Sequence, residues 1–413
     1  MNCPRVPLRE LCQFRHGGTP SKSIPEFWTG IVPWVSPKDM KSHVVEDSTD
    51  HITEDAVRGS ATSIVLPGSV LVVVRSGILA HTLPVAKVAR PLAFNQDIKA
   101  VVPVSDRADP DYLYWFLRSA ERSVIEQGVK KGATVHSVQA GFIENLRIPV
   151  PSLDEQRRIV DILSRAEGIV RLRREAQKKT AELVPAIFLE MFGDPATNPK
   201  RWPVVQLGEI LSAIDSGYSP KCHDRPREND EWGVLRLGAV SRCEYDEGEH
   251  KTLPSNLAVD PTIEVRPGDL LLSRKNTAAL VGASAYVWTT ASRMLLPDLI
   301  FRLRVANPRA TEAIYLWKLL TSDAKRRALT RLASGSAGSM PNISKERLRN
   351  MLVEVPPYEL QVRFCERVRQ VRSISAQQTD SLSKAVATLQ TLLSCAFGGG
   401  LDAASQQRAA VIA

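Results

Sequence analysis

The run Arg274-Lys275-Asn276 closes a β-like segment, "DLLLSR", of the chain. Forked or donating side chains at a strand end suit one chemistry well. Arg and Lys donate to guanine edges, Asn pairs with adenine, and all three reach phosphate oxygens. A similar pair, Arg75 and Ser76, closes "SVLVVV". Polar loops offer more groups of this kind. "GGTPSK" carries Thr19, Ser21 and Lys22, "WVSPKD" carries Ser36 and Lys38, and "VKKGATVH" carries Lys130, Lys131, Thr134 and His136. In the second half Lys221, Arg236, Ser336, Ser339 and Asn342 stand at matching places. The competing reading of each is an ordinary polar loop residue. Trp34, Trp115 and Trp317 read as core, and Arg171, Arg173 and Arg174 as a solvated face.

Signatures of bond-making chemistry are weak. "VPPY" (355–358) imitates the Asn/Asp-Pro-Pro-Tyr/Phe motif of amino-methyltransferases, but Val355 stands where a polar residue is needed. "GSAGSM" is followed by no GK[ST], so it is no phosphate loop. "DIK" (97–99) has no partner acid in register for a nuclease metal. The seven histidines form no HxxxH or HExxH pair. Cys222, His223, Cys243 and His250 could be drawn as a zinc site, but their spacing fits no common pattern. The expectation is a binding protein with no catalytic residue, cofactor or metal of its own.

Composition agrees. A net charge of +9 and a pI of about 9.3 suit a polyanion, nucleic acid first and an acidic membrane surface second. With 43% hydrophobic and 24% charged residues, the chain can bury real cores. At 413 residues it calls for two or three domains. The N-terminus lacks a signal-peptide core, and no apolar run is long enough to span a membrane. The six scattered cysteines, with no CxxC, suggest a reducing, cytoplasmic setting.

The elements that must position these groups occur twice. "IPVPSLDEQRRIV" (148–160) and "VEVPPYELQVRFC" (353–365) make the same strand–proline–helix transition. Pro151 matches Pro356 and Gln156 matches Gln361. Phe192 and Gly193 match Phe397 and Gly398, all at one constant offset. "LPGSVLVVVR" matches "RPGDLLLSR", "GGTPSK" faintly matches "GYSPKC", and "YLYWFL" matches "IYLWKL". The chain therefore reads as a tandem duplication of a mixed domain followed by a long helix.

Each helix shows an apolar stripe at 3-and-4 spacing. Ile159, Leu163, Ala166 and Val170 carry it in the first, Phe364, Val368, Val371 and Leu382 in the second. Acids in the first turn suit the dipole, and Gly193 and Gly398 read as terminating glycines. Pro185 should kink or restart the first helix. About 38 residues at roughly 1.5 Å each would span on the order of 57 Å. So narrow a stripe wants a partner helix, and connectivity makes the pair antiparallel. The fold class expected is α/β (mixed α+β): two globular domains joined by a pair of long antiparallel coiled-coil helices in a pseudo-twofold tandem repeat. Two basic heads at a fixed separation suit two half-sites on a duplex.

At this point the chain resembles a known family, the DNA-specificity (S) subunits of type I restriction–modification enzymes. "GGTPSKSIPEFWTGIVPWVSPKDM" (17–40), "LRIPVPSLDEQRRIVDIL" (146–163), "LEMFGDP" (189–195) and "VPPYELQVRF" (355–364) carry the resemblance. Pro185 and the Glu359–Leu360 pair, standing for Asp154–Glu155, depart from its pattern. The resemblance implies a first target recognition domain at 1–150 and a central spacer helix at 151–195. A second recognition domain follows at 196–355, a second spacer helix at 356–397 and a flexible tail at 398–413. It implies a non-catalytic chain that reads a bipartite DNA target with an unspecified spacer. Two modification subunits would dock on the helices with S-adenosylmethionine, and two restriction subunits could add ATP- and Mg-dependent work. Within the family the alternative is the specificity chain of a methyltransferase lacking a restriction partner; outside it, a coiled-coil adaptor with two protein-binding heads.

Overall fold

Proline–glycine turns at 67–68 and 267–268 each feed a short strand whose side chains are all buried, Val70–Val73 and Leu270–Ser273. These strands sit at the centre of the two halves of a mixed α/β fold. The computed structural model describes residues 3–132, 134–228, 230–334 and 340–398. The chain divides into two compact units. One comprises the residues up to Glu175 and those from Asp380 on; the other is Ala176–Thr379. The division cuts through both long helices, Leu153–Phe192 and Tyr358–Phe397, rather than falling between domain and helix. The reason is burial. Each half-helix turns its apolar stripe onto the core of its own unit.

In the first unit a sheet runs in the order Cys12–His16, Ile98–Pro103, Val70–Val73, Val85–Val88, Val44–Val45. A second sheet runs Asp50–Ile52, Val32–Val35, Leu92–Phe94, Ile64–Val65. Strand Arg5–Pro7 pairs antiparallel with Arg147–Pro149, tying the ends of the domain together. Helix Pro110–Ser119, capped by Asp109, buries Tyr112, Leu113, Trp115 and Phe116. The second unit repeats this plan. Leu211–Ser216, Ile300–Val305, Leu270–Ser273 and Ser284–Tyr286 form one sheet. Gly233–Leu235 lies between His250–Thr252 and Met294–Leu295 in another. Val204–Gln206 pairs with Leu352–Glu354, and helix Ala313–Leu320 buries Tyr315 and Trp317. Trp34, Trp115 and Trp317 are all buried, as expected of core.

The repeated glutamines explain the constant offset. Gln156 Oε1 accepts from the Asp109 amide at 2.9 Å, and its Nε2 donates to Arg107 O at 2.8 Å and Pro151 O at 3.0 Å. Gln361 Oε1 accepts from the Glu312 amide at 2.9 Å, and its Nε2 donates to Ala310 O at 3.3 Å and Pro356 O at 2.8 Å. Each buried glutamine clamps the start of the Tyr-Trp helix to the start of a long helix. A buried tyrosine seconds it: Tyr112 donates to Pro149 O at 3.1 Å and Tyr315 to Glu354 O at 2.9 Å.

Within each unit the two helical segments run antiparallel. In the first, Phe397 packs on Tyr112 (5.2 Å) and Phe116 (5.7 Å), and Arg5 donates to Phe397 O at 2.6 Å. In the second, Phe192 meets Phe364 at 5.3 Å, while Gln177 donates to Thr379 at 3.0 Å. Pro185 does not end or restart the first helix, which continues through it to Phe192. Gly193 is left-handed (φ 81°), as a terminating glycine should be. Gly398 is not left-handed, although its amide returns to Ser394 O at 2.6 Å just as that of Gly193 returns to Leu189 O at 2.9 Å. Residues 399–413, expected as a flexible tail, lie outside the described residues. Among the described residues no helix is long and apolar enough to cross a membrane.

Candidate nucleic-acid interface

Strand pairing gathers most of the polar groups singled out in the first unit. His136–Val138 pairs antiparallel with both Val129–Lys130 and Arg75–Ser76. His136 thus lies opposite Ser76, and Ser137 opposite both Arg75 and Lys130. Lys131 and Thr134 sit on the exposed turn of this small sheet. The turn is pinned by the Gly132 amide, which donates to His136 Nδ1 at 3.2 Å. That bond makes Nδ1 an acceptor and leaves Nε2–H as an outward donor. Ser76 is spent in part on capping, accepting from the Ile78 amide at 3.3 Å. Arg75, Lys130 and Lys131 are exposed, and none has an ion-pair partner among the described residues.

A tight turn at 95–97 joins this sheet to the loop at 17–22. The Asp97 carbonyl accepts from the Val74 and Arg75 amides at 2.8 and 3.1 Å. One residue earlier, Gln96 Oε1 accepts from Thr19 Oγ1 at 2.6 Å. The loop can approach so closely because Gly17 has no side chain. A Cβ there would lie 2.2 Å from Phe94 O. Ser21 shares its hydroxyl with Ser23 at 2.7 Å, and Lys22 is exposed. Ser36 and Lys38 are more committed. Ser36 donates to Asp39 Oδ2 at 2.9 Å in a capping box. Burial alone would raise the Asp39 carboxyl, but hydrogen bonds from Ser36 and Thr49 outweigh it and hold the group below its usual range. Lys38 donates to Asp50 at 2.6 Å, which raises its ammonium above the ordinary lysine value.

The second unit rebuilds this arrangement with different side chains. A Cβ on Gly217 would lie 1.6 Å from Leu296 O. Two residues on, the Ser219 hydroxyl donates to Asp298, whose amide returns to Ser219 Oγ at 3.3 Å. Leu299 O accepts from the Arg274 amide at 3.0 Å. Ile343 donates to Arg274 O at 2.8 Å, just as Val138 donates to Val74 O at 2.8 Å. Lys275 bridges to Asn342, as Arg75 pairs with Ser137. By register Lys275 therefore stands where Arg75 does, and Asn276 where Ser76 does.

This placement divides the Arg274-Lys275-Asn276 run. Neighbouring side chains on an extended segment point to opposite faces. Asn276 turns inward and is 5% exposed. Its amide nitrogen faces Ser241 Oγ at 3.3 Å and Ser273 Oγ at 3.4 Å, and its oxygen accepts from the Thr277 amide at 2.8 Å. Asn276 is a structural bracket. Arg274 is half-buried, donates to Asn342 Oδ1 at 3.1 Å and lies 5.1 Å from the Phe301 ring. Lys275, half-buried but unpaired among the described residues, is the outward member. Arg236 is held by the His250 carbonyl at 3.0 Å and an ion pair to Asp224, whereas Lys221 is exposed, two residues from Ser219. Ser336 and Ser339 lie outside the described residues.

Two members of the two constellations carry no signal in the local sequence, Gln96 and Asp298; Ser219 could have been found, because the faint match of "GYSPKC" to "GGTPSK" sets it on Thr19. The drawn zinc quartet does not assemble. His250 Nδ1 faces Glu247 O at 2.7 Å and its Nε2 accepts from the Arg227 amide at 3.0 Å. Among the described residues no group of three or more His, Cys, Asp or Glu is placed to hold a metal.

Comparison with known proteins follows this geometry. Residues 4–182 match the family model described as the type I restriction modification DNA specificity domain. The chain is 38% identical over 177 residues to the EcoR124I/EcoR124II specificity subunit of Escherichia coli, covering 43% of this chain and 44% of that one. It is 31% identical over 230 residues to the EcoEI specificity subunit of Escherichia coli (55% and 38%). It is 28% identical over 236 residues to the MjaIX specificity subunit of Methanocaldococcus jannaschii (52% of each). The matched region thus spans about half or less of the length of these relatives. Among solved structures, the S subunit of a type I system from M. genitalium superposes with a TM-score of 0.54 at 15% identity, covering 96% of each chain. A chain from a study of complex assembly and conformational transition in the type I R-M system superposes with 0.61 at 21% identity, covering 97% of this chain and 100% of that one. Both likenesses are of fold.

Proposed function

We propose that this chain, which belongs through its first unit to the type I restriction–modification DNA specificity family, is the reader of a split duplex DNA target. Each unit recognises one half, and the bases between go unread. Phosphates are engaged by the outward cations Lys22, Arg75, Lys130 and Lys131 in one unit and Lys221 and Lys275 in the other. The chain holds no catalytic centre or cofactor of its own and acts in the cytoplasm. Two modification subunits, docked on the long helices, bring S-adenosylmethionine and methylate adenine. Restriction subunits, where present, add ATP- and Mg-dependent translocation and cleavage.

One observation carries this reading. The same constellation is built twice, with a glycine-tight loop, a hydroxyl-anchored turn and an outward cation on the adjoining strand, while the side chains on the turn differ. Equal frames with unequal contact groups are what reading two different half-sites requires. The test mixes the chain with random-sequence duplex DNA at about 50 and 200 mM salt. Binding that weakens steeply with salt is expected. Absence of salt-sensitive binding, with capture of a protein ligand instead, would indicate a protein-binding adaptor.

A further inference from the structure

The two turns that anchor the recognition loops present side chains of different hydrogen-bonding type at one equivalent position. Gly17 and Gly217 abut the carbonyls of Phe94 and Leu296, so Gln96 and Asp298 each lie two residues beyond the matched carbonyl. Ile98 pairs with Val73 and Ile300 with Ser273 in the central sheets, which fixes the same equivalence independently. Gln96 is exposed and Asp298 half-exposed. Each takes a hydrogen bond from the hydroxyl two residues past the glycine, Thr19 in one case and Ser219 in the other. Each also lies one residue before the carbonyl that holds the strand bearing an outward cation, Arg75 or Lys275.

Resting on the DNA-reading function proposed above, we infer that Gln96 and Asp298 are paired specificity residues, Gln96 selecting adenine and Asp298 selecting cytosine. The argument is one of donors and acceptors. The Thr19 hydroxyl uses one lone pair of Gln96 Oε1 and so fixes the amide plane. The second lone pair of Oε1 and the two Nε2 hydrogens stay available. An acceptor beside a donor matches adenine in the major groove, which offers its N6 amino group beside the N7 acceptor. Asp298 is anchored in the same manner, but a carboxylate has acceptors only. It suits the N4 amino group of cytosine and is repelled by the acceptor pair O6 and N7 of guanine. Anchoring matters because a freely rotating side chain would lose ordering entropy on reading a base. The hydroxyl contact removes much of that loss before DNA arrives.

The test is selection from a randomised duplex library, by parent and variants, followed by sequencing of the bound fraction. The parent should select an adenine at one position of one half-site and a cytosine at one position of the other. Gln96→Asp should switch the first to cytosine and Asp298→Gln the second to adenine. Each switch should change base preference on the order of 10-fold to 100-fold and leave the opposite half-site intact. Thermal melting confirms that each variant is folded. Should Gln96→Asp fail to fold, Gln96→Ala serves, with loss of discrimination at that single position as the expected result. Variants that bind as tightly as the parent with an unchanged motif overturn the assignment while leaving the DNA-reading function standing. A parent that selects no motif overturns the DNA-reading function itself, and this assignment with it.

Discussion

Replacing Lys22, Arg75, Lys130 and Lys131 together by alanine tests whether the first unit lies on phosphates. All four are exposed and none is paired with a carboxylate among the described residues, so each is free to neutralise a phosphate. Each neutralised phosphate releases about 0.9 of a counterion, so four lost contacts should reduce the slope of log affinity against log salt by about 3.6. Over a fourfold rise in salt, from roughly 50 to 200 mM, the parent should therefore lose about 150-fold more affinity than the variant. The matched control is Lys38→Ala. Lys38 is already held by Asp50 at 2.6 Å, so its removal should leave the slope essentially at the parent's. Fluorescence anisotropy on a labelled random duplex over five salt concentrations gives both slopes. A quadruple variant with the parent's slope would refute the placement of these cations on DNA. A Lys38 variant with the larger loss would show that loop 36–39, not the small sheet, is the contact.

Three further outcomes concern the frame. Gln156→Ala removes the side-chain partner of two carbonyls and one amide at part-buried positions, and should cost about 2–4 kcal/mol in urea unfolding; Gln156→Glu should restore only the bond from the Asp109 amide. Pro185→Ala, at an exposed position inside the first long helix, should stabilise the chain by about 1–3 kcal/mol in the same assay. Glu231, held by hydrogen bonds from Arg225, should titrate at about 2, against an ordinary glutamate value of 4.5. Its folded-state value is depressed, so its contribution to stability is present above the ordinary value and is lost as pH falls towards about 2. Arg225→Ala should return the carboxyl resonance midpoint towards the ordinary value.

The frame was legible because it repeats in simple register. Gln156 and Gln361 share one offset and one set of three hydrogen bonds, and Trp34, Trp115 and Trp317, read as core, are buried. The division of each long helix between two units was not legible. The apolar stripe does thin there, with only Ala176 and Thr180 between Val170 and Leu183 and Gln378 between Val371 and Leu382, but a weakened stripe does not by itself distinguish a change of partner core from a solvated mid-helix. The candidate interface was legible by loop and not by atom. Asn276 looked like the third member of a reading triplet, but strand alternation points it inward to Ser241 and Ser273. Ser36 looked free, but its hydroxyl closes a capping box. Gln96 and Asp298 are not legible because they lie far along the chain from the hydroxyls that anchor them, and "NQD" and "PDL" share no letter at the decisive position.

The central claim is that two units read two separate half-sites. The most direct measurement is the motif selected from random duplex DNA by the chain, assembled with methyltransferase subunits, before and after residues 1–150 are exchanged for those of a relative. Two short constant blocks separated by unread bases are expected, with the exchange altering one block and leaving the other unchanged. A single continuous block, or an exchange that alters both blocks at once, would contradict the account.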